Sequence, residues 1–340
     1  MNKQALKADL LLLLTSCIWG FGFVAQRSGM EYVGPFAFNG IRFILGSLSL
    51  LPLIRFRRWK GLDSKRIAGA SGSLVFNSFL AGGCLFFAVT LQQWGILFTT
   101  AGNAGFITGL YVVLVPILGI VWGKKTGIPT WIGAGCTLSG LYFLSAAGHL
   151  ESINPGDIVT AISAVFWALH VLLIDRLVKI TDPLLLSSGQ FAWCGSFSLI
   201  AAVTVEPFFG GWVQALNPAL YASGLFSWHS LPALVSGIGS GSISGALLRS
   251  SLIPILYGGL GSVGVAYTLQ VVAQQNAPPA HATIILCLEG CFAALGGVLL
   301  LREPLGTWTF LGFCLILSGT LITQWEVVAG GFGGKKAENG

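Results

Sequence analysis

Charge is what this sequence lacks. Asp, Glu, Lys and Arg make up 9% of its 340 residues, against about 25% in a typical soluble domain. So few charges cannot cover the surface of a soluble fold of this length. An ordinary cytosolic enzyme, a disordered chain and a nucleic-acid binder are excluded. Paired cysteine motifs are missing too. The seven cysteines (17, 84, 136, 194, 287, 291 and 314) lie in apolar runs, are odd in number and include no CxxC. That leaves small apolar packing residues rather than a disulfide framework or a zinc site. No HExxH, GxSxG or P-loop occurs, so no metal, cofactor or nucleotide is expected, and no enzyme. An intramembrane hydrolase would need paired acids or a Ser–His dyad, but Asp9, Asp157, Asp175 and Asp182 all fall at the ends of apolar runs.

What is present is apolar sequence, 54% of the chain. A membrane-spanning helix needs roughly 20 mainly apolar residues. Ten segments qualify, near 9–27, 35–54, 68–90, 99–122, 130–147, 157–177, 184–205, 250–271, 281–301 and 308–326. Irregular backbone in lipid is too costly, so all ten are expected to be helices. Lys3, Lys7 and Leu10–Leu14 before Cys17 resemble a lipoprotein signal. Asp9 shortens that apolar run, however, and apolar sequence continues to Ala25, so a retained first helix is expected.

Basic residues orient the chain. With the N-terminus in the cytoplasm, ten spans place fourteen of the 18 Lys and Arg residues inside: Lys3 and Lys7, the six between Arg55 and Arg66, Lys124, Lys125, Arg176, Lys179, Lys335 and Lys336. Both termini are then cytoplasmic. Residues 206–249 form one long non-cytoplasmic loop with aromatic and Gly/Ser-rich stretches, which suits an interfacial helix and a connector.

The two halves repeat. At an offset of 148, Asp9 falls on Asp157, Trp19 on Trp167, Pro35 on Pro183, Arg42 on Gln190 and Phe43 on Phe191. At 178, Ala88–Gln92 falls on Ala266–Gln270; at 179, Gly133 falls on Gly312 and Leu138–Gly140 on Leu317–Gly319. The change of offset is a 30-residue insertion within 206–249. The expected domains are a first five-helix repeat at 9–147 and a second at 157–326 carrying that loop. Five is odd, so the second copy enters the membrane from the other side. Inverted repeats are typical of secondary transporters, with a site near the midplane between the halves. Duplication in a membrane protein of another kind is the competing explanation.

Several local runs point to a family. They are Trp19-Gly20, Arg42 and TTAGNAGFITGLYVVLVP from Thr99 to Pro116. The second half adds Leu288-Glu289, Ala293-Ala294-Leu295-Gly296-Gly297 and Arg302-Glu303-Pro304-Leu305. On these residues the chain resembles the drug/metabolite transporter superfamily, specifically ten-helix proteins with two EamA domains. The resemblance covers nearly the whole chain apart from 206–249, whose length departs from the family's short connection. It implies export or exchange of a small polar metabolite such as an amino acid, by alternating access, in a bacterial inner membrane. The partners expected are a small solute and the lipid bilayer, with no nucleic acid, and Glu289 and His170 add protons as a candidate coupling ion. The alternatives are a membrane channel and a non-transporting receptor or assembly protein with 206–249 as its partner surface.

An ionisable group inside a span is costly and needs a partner or a water-filled cavity. Glu289 is a candidate for a substrate ammonium or a proton, or else a structural carboxylate. Arg42 suits a substrate carboxylate or pairing with a buried acid, with Gln190 as its repeat mate. His170 suits a proton carrier or a satisfied core histidine. Trp19 and Trp167 suit cavity walls or ordinary packing. Asn77, Gln92, Asn103, Tyr111, Tyr267 and Gln270 supply uncharged donors and acceptors, for solute or for bridging helices. Pro116 and Pro254 interrupt helices four and eight and are candidate hinges.

Overall fold

The computed structural model describes residues 3–30, 33–61, 71–98, 101–145, 155–206, 208, 252–301 and 307–333. Ten helices account for nearly all of them, and no strand occurs among them. They are α1 Lys3–Met30, α2 Pro35–Trp59, α3 Ser71–Phe98, α4 in two segments, Ala101–Gly109 and Tyr111–Val121, and α5 Ile128–Ser145. The second five are α6 Pro155–Leu177, α7 Pro183–Thr204, α8 Leu252–Ala273, α9 as Pro279–Leu286 and Leu288–Leu301, and α10 Thr307–Gly333. Six of these are long and apolar enough to cross a membrane whole; the apolar stretches Ile107–Val121, Pro279–Phe292 and Phe310–Thr323 are shorter. The protein is an all-α integral membrane protein of two inverted five-helix repeats. Except at 206 and 208, the long loop lies outside the described residues.

Packing follows the repeat. Helix α1 packs on α8 and α9, as its mate α6 packs on α3 and α4; α2 packs on α8, as α7 packs on α3. Two helices meet their own mates: α2 lies on α7, and α5 on α10. The α5–α10 seam shows how close this contact is. A Cβ at Gly133 would lie 2.8 Å from the Gly319 carbonyl oxygen, and one at Gly140 only 2.7 Å from that of Gly312. Gly133 and Gly312 are repeat mates, as are Gly140 and Gly319, so the contacts cross over. That is what a two-fold axis in the membrane plane produces. Small residues permit this approach where lipid supplies no hydrophobic drive between helices.

Proline and glycine punctuate the helices. Prolines open α2, α6, α7 and α9, where a missing N–H is not needed. Gly61 and Gly123 turn the chain after α2 and α4 at φ +62° and +73°, conformations that favour glycine. Asp182 caps α7, accepting from Leu184 N at 3.0 Å and Leu185 N at 3.2 Å. Its carboxylate also takes both Arg57 guanidinium nitrogens, at 3.3 and 3.0 Å.

One face of the bundle is tied by acidic and basic side chains. Arg57 of α2 meets Asp182 of α7, Lys124 of the α4–α5 turn meets Asp175 of α6, and Asp9 of α1 lies 2.8 Å from His281 of α9. Each of the three contacts joins one repeat to the other. We call this the basic face. On the opposite face the α2–α7 contact recurs with its chemistry exchanged. Gly34, the mate of Asp182, has no side chain to cap α2. Glu206 at the end of α7 supplies the cap instead, accepting from Phe36 N at 3.1 Å. A Cβ at Gly34 would sit 1.8 Å from that carboxylate oxygen. Burial pushes the Glu206 carboxyl up to about 7, against the opposing pull of the backbone N–H groups at Phe36 and Ala37.

Three spans are irregular, none of them at the prolines that the sequence offers as interruptions of helices four and eight. In α4 the ladder tightens at Leu110, whose N–H bonds the Ile107 carbonyl at 3.2 Å. In α9 it breaks at Cys287, close to the repeat equivalent of Leu110. Helix α8 widens into a π-helix over Tyr257–Tyr267. Four glycines in that stretch let it press on α2: Cβ atoms at Gly259 and Gly264 would come within 2.6 Å of Leu45 and 2.4 Å of Ser49. Helix α1 covers the widened ladder with hydrogen bonds. Trp19 Nε1 donates to the Ser262 carbonyl at 3.3 Å, and Thr15 Oγ1 to that of Ala266 at 3.2 Å.

Candidate functional site

Repeat mates that touch each other mark the axis. Trp19 and Trp167 are such mates, with ring centroids 6.4 Å apart, and Phe43 and Phe191 are another pair at 6.1 Å. Tyr267, aimed inward from the end of the π-helix, fills the space between the pairs. Its ring lies 4.5 Å from Trp19, 6.0 Å from Trp167, 5.8 Å from Phe43 and 5.9 Å from Phe191. Irregular turns in α4, α8 and α9 surround this aromatic centre. Broken helices at matching positions of two repeats are where transporters build sites, because local irregularity exposes backbone and re-aims side chains.

A cavity of about 40 Å³ lies against this aromatic centre, room for about three water molecules. Both repeats line it. From the first come Trp19, Gln26, Arg42, Gln92, Thr108 and Tyr111; from the second, Trp167, Tyr267, Gln270 and Glu289, with Ser262 of the π-helix. Eight of the twelve side chains singled out from the sequence therefore meet here.

Two charged groups stand out in the wall. Arg42 is 2% exposed. Its Nε donates to Asn39 Oδ1 at 2.9 Å, and its guanidinium lies over Phe43 and Phe38 at 5.0 and 5.5 Å. Aromatic faces partly balance a cation, but no carboxylate pairs with it among the described residues. Glu289, on the first turn after the α9 break, has no ion pair and no hydrogen bond there either. One basic and one acidic side chain thus face one void with no ion pair between them. Gln92 donates to Thr108 Oγ1 at 3.2 Å, while the Oε1 atoms of Gln270 and Gln26 have no partner. Two amide oxygens in the wall are thus left without a partner among the described residues.

The remaining candidates lie elsewhere. His170 Nε2 is 2.9 Å from Gln190 Oε1, both fully buried between α6 and α7. They form a polar layer behind Trp167, whose ring His170 meets edge-on. Asn77 donates to Thr181 Oγ1 at 3.0 Å, beside the Arg57–Asp182 pair. The Asn103 side chain lies outside the described residues. Pro116 sits within the second α4 segment, and the irregular turn is at Leu110. Pro254 is buried in α8, three residues before the π-helix. Gln26, Thr108 and Ser262 were not singled out from the sequence. Gln26 is two helical turns from Trp19 on the same face, a spacing signal that was there to be read. Ser262 reaches the site only because α8 widens.

Comparison with known proteins agrees with this architecture. The EamA-like transporter family profile matches residues 6–146 and 219–325. An "uncharacterized transporter" of Archaeoglobus fulgidus is 29% identical over 325 residues, covering 95% of this chain and 88% of its own. The Bacillus subtilis "uncharacterized transporter YvbV" is 26% identical, over 74% of this chain and 81% of its own. The Escherichia coli "uncharacterized inner membrane transporter YedA" is 26% identical over 44% of this chain and 47% of its own. A solved crystal structure with 15% identity superposes with a TM-score of 0.69, covering 93% of this chain and 95% of that one, and shows the shared fold.

Proposed function

The chain belongs to the EamA-like transporter family, and from that premise we propose that it is a secondary carrier for a small zwitterionic metabolite of the amino-acid class. One observation carries this reading: an unpaired Arg42 and an unpaired Glu289 in the wall of one cavity on the repeat axis. A solute with a carboxylate and an ammonium supplies the partner that each lacks. Arg42 takes the carboxylate, through a guanidinium suited to two parallel bonds. Glu289 takes the ammonium, and Gln270 and Tyr111 accept or donate to what remains. Trp19, Trp167 and Tyr267 form rigid walls.

The cavity holds a few waters and not yet an amino acid, so binding requires the halves to part. Alternating access follows: each repeat adopts in turn the arrangement of its mate, opening one face as it closes the other. Weak, unsaturated binding groups suit a solute that must also leave. No nucleotide-binding motif is present, so solute gradients or protons drive the cycle, with Glu289 as the proton carrier in a coupled exporter or exchanger. In this reading the positive-inside rule puts the basic face and both termini on the cytoplasmic side of a bacterial inner membrane.

Counterflow in proteoliposomes tests this reading. Vesicles preloaded with an unlabelled amino-acid pool should accumulate external labelled solute, and Glu289→Gln should abolish accumulation. Flux that neither saturates nor is accelerated from the far side would instead identify a channel. Uptake indifferent to a pH gradient at constant voltage would remove the proton.

A further inference from the structure

A second cavity, of about 380 Å³, opens on the basic face. Its wall is formed by the second segment of α4 (Val115, Pro116 and Gly119), the Lys124–Thr126 turn, the end of α6 and the α8–α9 connection from Gln274 to Ala280. It is roughly one helical turn from the central cavity on three helices. Tyr111, Val171 and Gln270 line the inner void, and Val115, Asp175 and Gln274, each four residues on, line the outer one. Four residues advance a helix by about 6 Å. Only a thin septum separates the two, and Gln274 stitches it by donating to the Val171 carbonyl at 3.0 Å.

The charge of this vestibule is one-sided. Lys124, Lys125 and Lys179 line it against a single acid, Asp175. Asp175 is buried and already shared, with Lys124 and with Lys179 at 3.2 Å. One carboxylate cannot neutralise three ammonium groups, so the wall keeps an excess of two positive charges. Lys125 is exposed and makes no ion pair among the described residues. Helix α9 also begins here, with Pro278 at its cap position, no side-chain cap, and Pro279 and Ala280 in the wall. An uncapped helix N-terminus adds partial positive charge in the same direction. The buried Gln274 Oε1 has no partner among the described residues; as an acceptor it can take only a ligand O–H or N–H, such as the proton of a hydrogen phosphate.

We propose that the vestibule is an oxyanion-binding subsite at the mouth of the transport pathway, which takes a carboxylate or phosphate group before it reaches Arg42 or after it leaves. The inference rests on the carrier reading for its place in the pathway, and on the cavity and its lysines for its chemistry. It adds a selection step: solutes that carry an extra oxyanion are held at this face and neutral ones are not. Lys125 supplies the uncommitted cation, Lys124 and Lys179 the shared field, and Asp175 sets the upper limit on binding by holding two lysines back.

The full-length protein in phosphatidylcholine nanodiscs, titrated with inorganic phosphate and followed by phosphorus-31 line broadening, tests the subsite directly. Broadening should saturate, be competed by sulfate and be unaffected by glycerol. Lys125→Gln should weaken it about three- to fivefold, the scale of one partly exposed charge contact, and Lys125→Arg should restore it. Asp175→Asn should strengthen binding, a sign that a merely structural role for the acid would not give. If that variant does not fold, the two Lys125 variants decide. Identical broadening in the wild type and Lys125→Gln overturns the proposal. Discs containing phosphatidylglycerol identify the source: weaker phosphate binding there assigns the site to a lipid headgroup, and unchanged binding to a soluble oxyanion. Saturable phosphate binding without counterflow for any solute would sink the carrier reading and leave the subsite standing.

Discussion

The α5–α10 seam and the central cavity come from the same duplicated sequence, yet they use it in opposite ways. In the seam the close glycine contacts are kept: Gly133 faces Gly319 and Gly140 faces Gly312, so each of these contacts has its own symmetry copy. In the cavity the aromatic frame is kept (Trp19 with Trp167, Phe43 with Phe191), but the charged positions are not. Arg42 stands opposite Gln190, Glu289 corresponds to Leu110, and His170 to Gly22. Symmetry supplies an axis about which two halves can exchange conformations, and a solute with two unlike ends needs an unlike pair of partners beside it. The α2–α7 contact lies between these extremes. On one face Asp182 caps its own α7 and holds Arg57 of α2 across the contact; on the other Glu206 of α7 caps α2 across it.

The sharpest test of that contrast is in the seam. Gly140→Leu should abolish folded protein, because a Cβ there already meets the Gly312 carbonyl oxygen at 2.7 Å, and backbone cannot yield without losing about 3 kcal/mol or more. Gly135→Leu on the same helix, where nothing lies within 4 Å, should leave the yield of monodisperse protein on size-exclusion chromatography unchanged. Equal yields would mean that the seam does not hold the halves.

In the cavity the expected damage is to transport, with the fold intact. Glu289→Gln should leave melting behaviour alone and lower counterflow by about a hundredfold, the upper end of one lost charge-assisted bond. Arg42→Gln restores the repeat's symmetry at that position. It should raise the half-saturating concentration of a carboxylate solute about tenfold, and less for its amide or ester. A loss equal for acid and amide would reassign Arg42 to packing.

The smallest effect concerns the exchanged caps. Glu206 holds its proton up to about pH 7 in the folded protein, against an ordinary value of 4.5. The folded state therefore binds more protons than the unfolded state between those values. The stability this contributes is fully present below pH 4.5, declines as pH rises to about 7, and stays low above it. The melting temperature of the detergent-purified protein should fall by a few degrees across that window. Glu206→Gln keeps an acceptor for Phe36 N and should flatten the profile. A slope that survives this change would place the titration elsewhere.

Much of the fold was legible in the sequence because lipid imposes one rule, that every backbone polar group be satisfied within its own segment. That rule turns apolar runs into helices, and the offsets of 148 and 178–179 turn ten helices into two inverted copies. The site was legible in part. Arg42 and Glu289 were visible as charges inside spans, and Trp19 and Trp167 as aromatic mates away from the interfaces. His170 was equally visible and proved to face Gln190 behind the cavity wall, because helical position does not reveal which neighbour a side chain turns towards. Gln26 and Ser262 gave no charge signal, and the turns at Leu110 and Cys287 have no proline to announce them.

Sequence alone determined the membrane class, the number of spans, the duplication and the inversion, since each depends on composition, period and parity along the chain. Only the tertiary structure decided that Arg42 and Glu289 share a void without pairing, that Tyr267 stands between repeat mates, that ion pairs join the repeats on the basic face and that a lysine-lined vestibule lies one turn from the centre. Those facts depend on distances between residues far apart in sequence, which helix packing and a π-helical widening of α8 set and no local pattern encodes.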